Sequence, residues 1–264
     1  MNNSGRKEMI LDLLRNYSHF VTVEQLSEQL FVSSATIRRD LQDLENSGLI
    51  HRTRGGALLL ESITTEAPMV LRENRNEMQK QIIANIARKY IKDGMTIFMD
   101  SSSTVFTLAR NLEPFSNLKI ITNNLKVIWL LSERKGITIL CTGGVLKENS
   151  KSFLSESAVE YVRRLNADAA FLSAQGFSIE KGSSDSNEAE FWLKRAYISH
   201  SRQRYLLCDT SKMGIEYLYR TSPLSAYTKI ITENREVNDY LKASVQPSST
   251  TPSSSTARGA TAPD

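Results

Sequence analysis

From residue 5 to 48 apolar side chains recur every three or four positions, the spacing of helices that bury one face. Residues 49–60 change to a short extended pair around Gly55-Gly56. The next stretch, 61–77 (ESITTEAPMVLRENRNE), has no period and is expected to be a connector. Beyond residue 78, apolar runs alternate with helical ones. The runs are TIFMD (96–100), LKIITN (118–123), ITILCTGG (137–144), DAAFLSA (168–174), RYLLCD (204–209) and YTKIIT (227–232); EAEFWLKRAYISH is one of the helical stretches between them. This alternation predicts an α/β domain over 78–243 with a mainly parallel sheet and ligand loops at the carboxyl ends of its strands. Residues 244–264 end in a Ser/Thr/Pro-rich run without a large apolar side chain, which predicts a disordered tail.

Within the first 60 residues, Val21-Thr22-Val23-Glu24-Gln25-Leu26 carries a complete helix start. Thr22 can cap, Gln25 can reach back to it, and Val21 can pack on Leu26. Phe31-Val32-Ser33 leaves room only for a tight turn before a second helix capped by Ser33, and two helices so joined form a helix-turn-helix. On the second helix Ile37, Leu41 and Leu44 form the buried stripe. Ala35, Thr36, Arg39 and Gln42 then project outward with Arg38 on the flank, while Asp40 turns inward to pack or to hold an arginine. Arg can take both acceptors of guanine and Gln both edge groups of adenine, so this face suits a major groove. The following extended pair, with His51, Arg52 and Arg54 beside Gly55-Gly56, would form a basic wing against phosphates. A protein–protein module is the plainer alternative. The agreement of turn, caps, outward set and wing favours double-stranded DNA, with 1–60 as a small winged helix-turn-helix domain.

In the larger domain the first strand ends at Asp100 and runs into Ser101-Ser102-Ser103-Thr104 at a helix start, where free N–H groups and hydroxyls can cradle a phosphate. The same serines also fit ordinary helix capping. Asn123, Gly143-Gly144 with Lys147, Gly176, and Asp209 with Lys212 follow later strands and would converge on one sheet edge. About half of such polar strand ends are expected from loops alone. Lys147, Lys194 and Lys212 are the candidates for balancing a phosphate charge, and each also suits an ordinary surface position.

Two stretches carry a family resemblance. FVSSATIRRDLQDLENSGLIHRTRGGAL resembles, without gaps, the amino-terminal signature of the DeoR family of bacterial transcriptional regulators, V-S-x-x-T-I-R-R-D-L-x-x-L-E-x-x-G-x-L-x-R-x-x-G-G-A. The stretches DGMTIFMDSSST, ITNNL, CTGGVLKENSKSF, DAAFLSAQGFS, EAEFWLKRAYI and LLCDTSKMG resemble its sensor domain, which is similar to ribose-5-phosphate isomerase. The resemblance covers about residues 5 to 235. It implies a recognition helix carrying Ser33, Thr36, Arg38 and Arg39, and a wing with Arg52 and Gly55-Gly56. It also implies a sugar-phosphate effector touching Ser101, Ser103, Thr104, Asn123, Gly143, Gly144 and Gly176, with a charge role for Lys212. The chain departs from the family pattern at Ser102, Ser155, Ser173 and Gln175. The isomerases carry D-G-A-D-E where this chain reads Leu172-Ser173-Ala174-Gln175-Gly176. Without those acids no base is left for isomerisation, so a binding sensor is expected and an isomerase-like enzyme fused to a DNA-binding domain is the alternative. The whole reads as a repressor of a carbohydrate-utilisation operon, homo-oligomeric as repeated DNA half-sites require.

The remaining composition adds exclusions. No apolar run approaches the roughly 18 residues of a membrane span. The charged amino terminus does not read as a signal peptide, so a cytoplasmic location is expected. His19, His51 and His200 lack zinc spacing, Cys141 and Cys208 read as buried small hydrophobes, and no metal or cofactor is expected. The net charge of +4 would suggest an acidic partner, but residues 1–60 carry seven basic and seven acidic side chains. The DNA-binding argument therefore rests on where Arg38, Arg39, Arg52 and Arg54 stand.

Overall fold

The computed structural model describes residues 3–16, 20–47, 49–53, 55–59 and 69–245. The amino-terminal part contains helices α1 (Asn3–Asn16), α2 (Val23–Leu30) and α3 (Ser34–Asn46) and a three-stranded sheet of β1 (Val21–Thr22), β2 (Ile50–Thr53) and β3 (Gly56–Leu59) in the order β1-β3-β2. All its strand pairs are antiparallel. Ile10, Leu14, Val21, Val23, Leu26, Leu30, Ile37, Leu41, Leu44, Ile50 and Ala57 form one buried cluster beneath the three helices. Gly56 is obligatory here, because a Cβ would lie 2.3 Å from the Val21 carbonyl across the β1–β3 pair.

Two further helices, α4 (Met69–Asn74) and α5 (Glu77–Ala87), precede a six-stranded sheet. Its strands are β4 (Thr96–Met99), β5 (Leu118–Thr122), β6 (Ile137–Cys141), β9 (Ala167–Leu172), β12 (Ser201–Leu207) and β14 (Lys229–Ile231), in the order β14-β12-β9-β4-β5-β6. Every pair in it is parallel. The six runs expected from the sequence are the six strands of this sheet. Alternate residues separate onto its two faces: Ile97, Met99, Ala169, Phe171, Tyr205 and Leu207 join one core, while Phe98, Ala170, Leu172 and Leu206 join the other. Helices cover both faces, as a parallel sheet requires. They include α6 (Ser103–Arg110), α7 (Leu125–Leu131), α8 (Glu156–Arg163), α9 (Glu188–Ser199) and α10 (Arg235–Val245).

Two smaller antiparallel units complete the domain: the hairpin of β7 (Val145–Lys147) and β8 (Ser152–Leu154), and a sheet of β10 (Gly176–Ser178), β11 (Gly182–Asp185) and β13 (Tyr219–Ser222). Of the expected connector over 61–77, residues 61–68 lie outside the described residues, and the part from Met69 is helical and held by Met69, which is fully buried in the core on the α5 face. Cys208 is buried as expected, but Cys141 is exposed, because it closes the edge strand β6. The tail beyond Val245 lies outside the described residues, as do Arg54 and the side chain of His51.

Candidate functional site

The helix-turn-helix is built by local chemistry. Thr22 Oγ1 accepts from the Gln25 amide at 3.1 Å, and Gln25 Oε1 accepts from the Thr22 amide at 2.9 Å, closing a reciprocal cap on α2. The turn passes through Phe31 in the left-handed region, and Ser33 Oγ then accepts from the Thr36 amide at 3.2 Å to start α3. Asp40 is buried and accepts from Arg6 Nε at 2.5 Å and Nη2 at 3.0 Å, which fixes α1 against α3. The same hydrogen bond raises the Arg6 pKa above its ordinary value.

Ser33, Ala35, Arg38, Arg39 and Gln42 are exposed on α3, and Thr36 is half-buried with its hydroxyl 2.9 Å from that of Ser33. Arg38 and Arg39 make no ion pair among the described residues. Gln42 differs from the free adenine reader expected: its Nε2 donates to Asn46 at 3.1 Å and its Oε1 accepts from Arg52. Arg52 also lies 3.9 Å from Glu45. The wing arginine is thus held on the carboxyl half of α3, and both side chains must exchange these bonds to meet DNA.

In the sheet domain, the chain leaves β4 toward β5 on one side while β9 lies on the other. A crevice opens where two neighbouring strands send their connections opposite ways, and the polar residues gather there. Asp100, fully buried after β4, accepts from the Ser102 amide at 3.0 Å and, across the crevice, from the Ser173 amide at 2.7 Å. Ser101 Oγ donates to Glu190 at 2.7 Å, and Ser102 caps α6 by accepting from the Val105 amide at 3.1 Å. Ser103 and Thr104 are buried in the first turn of α6. Thr104 Oγ1, Asn123 Nδ2 and Asn124 Nδ2, after the neighbouring strands β4 and β5, are buried with no hydrogen-bond partner among the described residues. Buried polar atoms are seldom left so.

The three lysines singled out have three different positions. Lys212, on a 3-10 turn over Thr210–Lys212, donates to Ala174 O at 2.7 Å and Ser173 Oγ at 3.2 Å, placing its charge at the crevice. Lys194 is buried on α9 and already paired, 2.6 Å from Asp185 and 4.0 Å from Asp100. Burial would lower its pKa, but Asp185, Asp100 and Glu190 outweigh that and raise it. Its role is to neutralise carboxylates, so it does not supply a free counter-charge. Lys147 stands exposed on β7, outside this network.

The glycines also divide. Gly176 is required by packing, since a Cβ would meet the Ile215 carbonyl at 2.2 Å. Gly144, at φ +112°, faces Ser155, whose hydroxyl would lie 2.7 Å from an added Cβ. Gly143, at φ +72°, faces open space. The side chains that depart from the family pattern have structural roles: Ser155 caps α8, Ser173 receives Lys212, and Gln175 Oε1 accepts from the Ser186 amide at 2.8 Å.

Pattern reading passed over Asp185, Glu190 and Lys80. Asp185 accepts from Lys194, from Thr221 Oγ1 at 2.7 Å and from the Gln175 amide at 3.3 Å. Lys80, on α5, is 4% exposed, and its amine donates to the carbonyls of Arg72 and Arg75. Burial first, and then the positive charge of Lys212, lower its pKa to about 8. Its signal was a lysine on the buried face of an amphipathic helix, beside Ile83, Ala84 and Ala87.

Residues 6–63 match the family model described as a DeoR-like helix-turn-helix domain, and residues 75–234 match the DeoR C terminal sensor domain. The chain is 35% identical over 230 residues to the HTH-type transcriptional regulator GolR of Listeria innocua, covering 87% of this chain and 90% of that one. It is 33% identical over 236 residues to the L-fucose operon activator of Escherichia coli, covering 89% and 96%. A ribose 5-phosphate isomerase from Methanocaldococcus jannaschii aligns over 52% of this chain and 55% of its own, with 18% identity and a TM-score of 0.39, too low to carry an argument.

Proposed function

This chain belongs to the DeoR family of helix-turn-helix transcriptional regulators, and from that premise we propose that it is a repressor of a carbohydrate-utilisation operon whose grip on DNA is set by a phosphorylated sugar. The observation that carries the sensor reading is the crevice between β4 and β9, where the serine loop with the unpartnered Thr104 Oγ1 faces Ser173 and Lys212, with the unpartnered amides of Asn123 and Asn124 after the adjacent strand β5. A phosphate would take N–H groups and hydroxyls at the start of α6 and the charge of Lys212. The loop Leu172–Gly176 holds no carboxylate. The sensor therefore binds without turning its ligand over.

In the DNA-binding half, α3 enters the major groove with Arg38 and Arg39 outward, and Arg52 serves the phosphate backbone. A homo-oligomer presents two such heads to repeated half-sites. Binding to operator fragments over a salt series tests this. Arg39→Ala should weaken binding and relax the preference at one base position, whereas Arg52→Ala should weaken all sequences alike and lower the salt slope by about one. Parent-like binding by both variants would refute the assignment. For the sensor, a panel of sugar phosphates should contain one that raises the melting temperature, with the shift blunted in Lys212→Ala.

A further inference from the structure

Away from the crevice, the exposed face of α9 presents Trp192, Arg195 and Ser199, which fall three and four residues apart and so stand in a row along the helix. Strand β13 runs at the edge of the small antiparallel sheet. Its pairing with β11 slips by one: Ser183 lies opposite Ser222 but Ser184 lies opposite Arg220, which leaves Thr221 as an extra residue. A bulge of this kind re-aims side chains. The Thr221 hydroxyl turns inward and donates to Asp185 at 2.7 Å, while Arg220 is exposed.

Residues of α9 and β13 together line an open cleft of about 460 Å³, among them Lys181, Arg195, Ser199, Arg220, Ser222 and Pro223. That volume suits a small metabolite. No carboxylate lines the cleft, and neither does any residue assigned to the crevice. Both guanidiniums are held from the side. Arg195 lies over the Phe191 ring, 5.5 Å from its centre, and Phe191 in turn meets the ring of Tyr219 on β13 at 5.7 Å. Arg220 Nε donates to the Lys181 carbonyl at 3.3 Å, and its two Nη groups remain for a ligand. A guanidinium fixed in this way loses less freedom on binding than one that sweeps through solvent. Neither arginine has an ion pair among the described residues. Glu216, within electrostatic reach of Arg220, pairs with Lys181 at 2.7 Å. Three cations against one carboxylate leave an excess of two positive charges, which a phosphate monoester would balance.

We propose that this cleft is a second anion site of the sensor, taking the phosphate group of a small phosphate monoester between Arg195 and Arg220, with Ser199 and Ser222 beside its organic part. Bidentate contact from two planar guanidiniums gives the phosphate both charge and orientation. The site does not depend on the crevice reading.

The test uses the full chain and inorganic phosphate, titrated calorimetrically against chloride at matched ionic strength. Three chains are compared: the parent, Lys212→Ala, and Lys212→Ala that also carries Arg195→Ala and Arg220→Ala. The Lys212→Ala chain, its crevice weakened, should still bind phosphate, and hydrogen exchange should then slow at 195–199 and 219–223. The two arginine substitutions should weaken that remaining binding about tenfold and abolish the slowing, with the melting temperature in chloride unchanged because both side chains are exposed. No phosphate binding by Lys212→Ala, slowing confined to 101–104 and 172–176, or binding indifferent to the arginine substitutions would each overturn the proposal. So would a fall in molar mass when the arginines are removed, which would make the cleft a contact between copies of the chain. Parent-like binding by Lys212→Ala, with slowing at the cleft alone, would retire the crevice reading and keep this site.

Discussion

Lys194 is enclosed by Asp100, Asp185 and Glu190, so a single cation answers three carboxylates where water scarcely reaches. Removing it leaves buried negative charges to repel one another. Lys194→Met should therefore cost about 3–5 kcal/mol in chemical denaturation, and a loss below about 1 kcal/mol would show that the carboxylates find other partners. The sequence shows a lysine in a helix near the end of a strand. It does not show that its neighbours come from β4, β11 and its own helix, and a counter-charge for an internal carboxylate looks the same in one dimension as a counter-charge for a ligand. Gly176 carries the same ambiguity: a glycine after a strand reads as ligand access, whereas the Ile215 carbonyl accounts for it.

At the scale of elements, what was legible depended on period and length. The capped start of α2, the Ser33 cap of α3 and the six parallel strands were all readable, since each depends on spacing within a few residues. Thr22→Ala should lower stability by about 1 kcal/mol through the lost cap, measurable by urea unfolding, while leaving the outward face of α3 unaltered. The strands β7, β8, β10, β11 and β13 were not legible. They are three or four residues long, too short to establish alternation, and all four residues of β11, Gly182–Asp185, are buried although none is a large apolar residue. Nor was α4, whose two turns are too short to establish a period; it is held by Met69 in the core and by Glu73 against Lys126 and Arg110.

For the whole molecule, Lys80 provides a pH signature. Its folded-state pKa of about 8 lies below the ordinary lysine value of 10.5, so the unfolded chain holds the proton more tightly. The Lys80 contribution to stability therefore rises as pH increases from about 8 toward 10.5. Unfolding free energies at pH 7.5 and 10 should show the parent gaining on Lys80→Met across that interval; a difference that stays constant would mean the amine keeps its ordinary value. Burial sets the sign, and Lys212, Arg72 and Arg75 add to it against Asp209, groups drawn from parts of the chain more than 120 positions apart.

The amino-acid sequence by itself determined the helix-turn-helix, the outward arginines of α3, the six strands and the serine loop after β4, because these are set by periodicity, caps and side-chain chemistry over short spans. The tertiary structure alone decided that β9 lies beside β4, that Lys194 is spent on carboxylates, that Gln42 and Arg52 hold each other, and that Lys80 is buried with its amine on the carbonyls of Arg72 and Arg75. Such pairings depend on strand order and on which buried charges meet, and an electrostatic partner is chosen by distance in space, which no local pattern encodes.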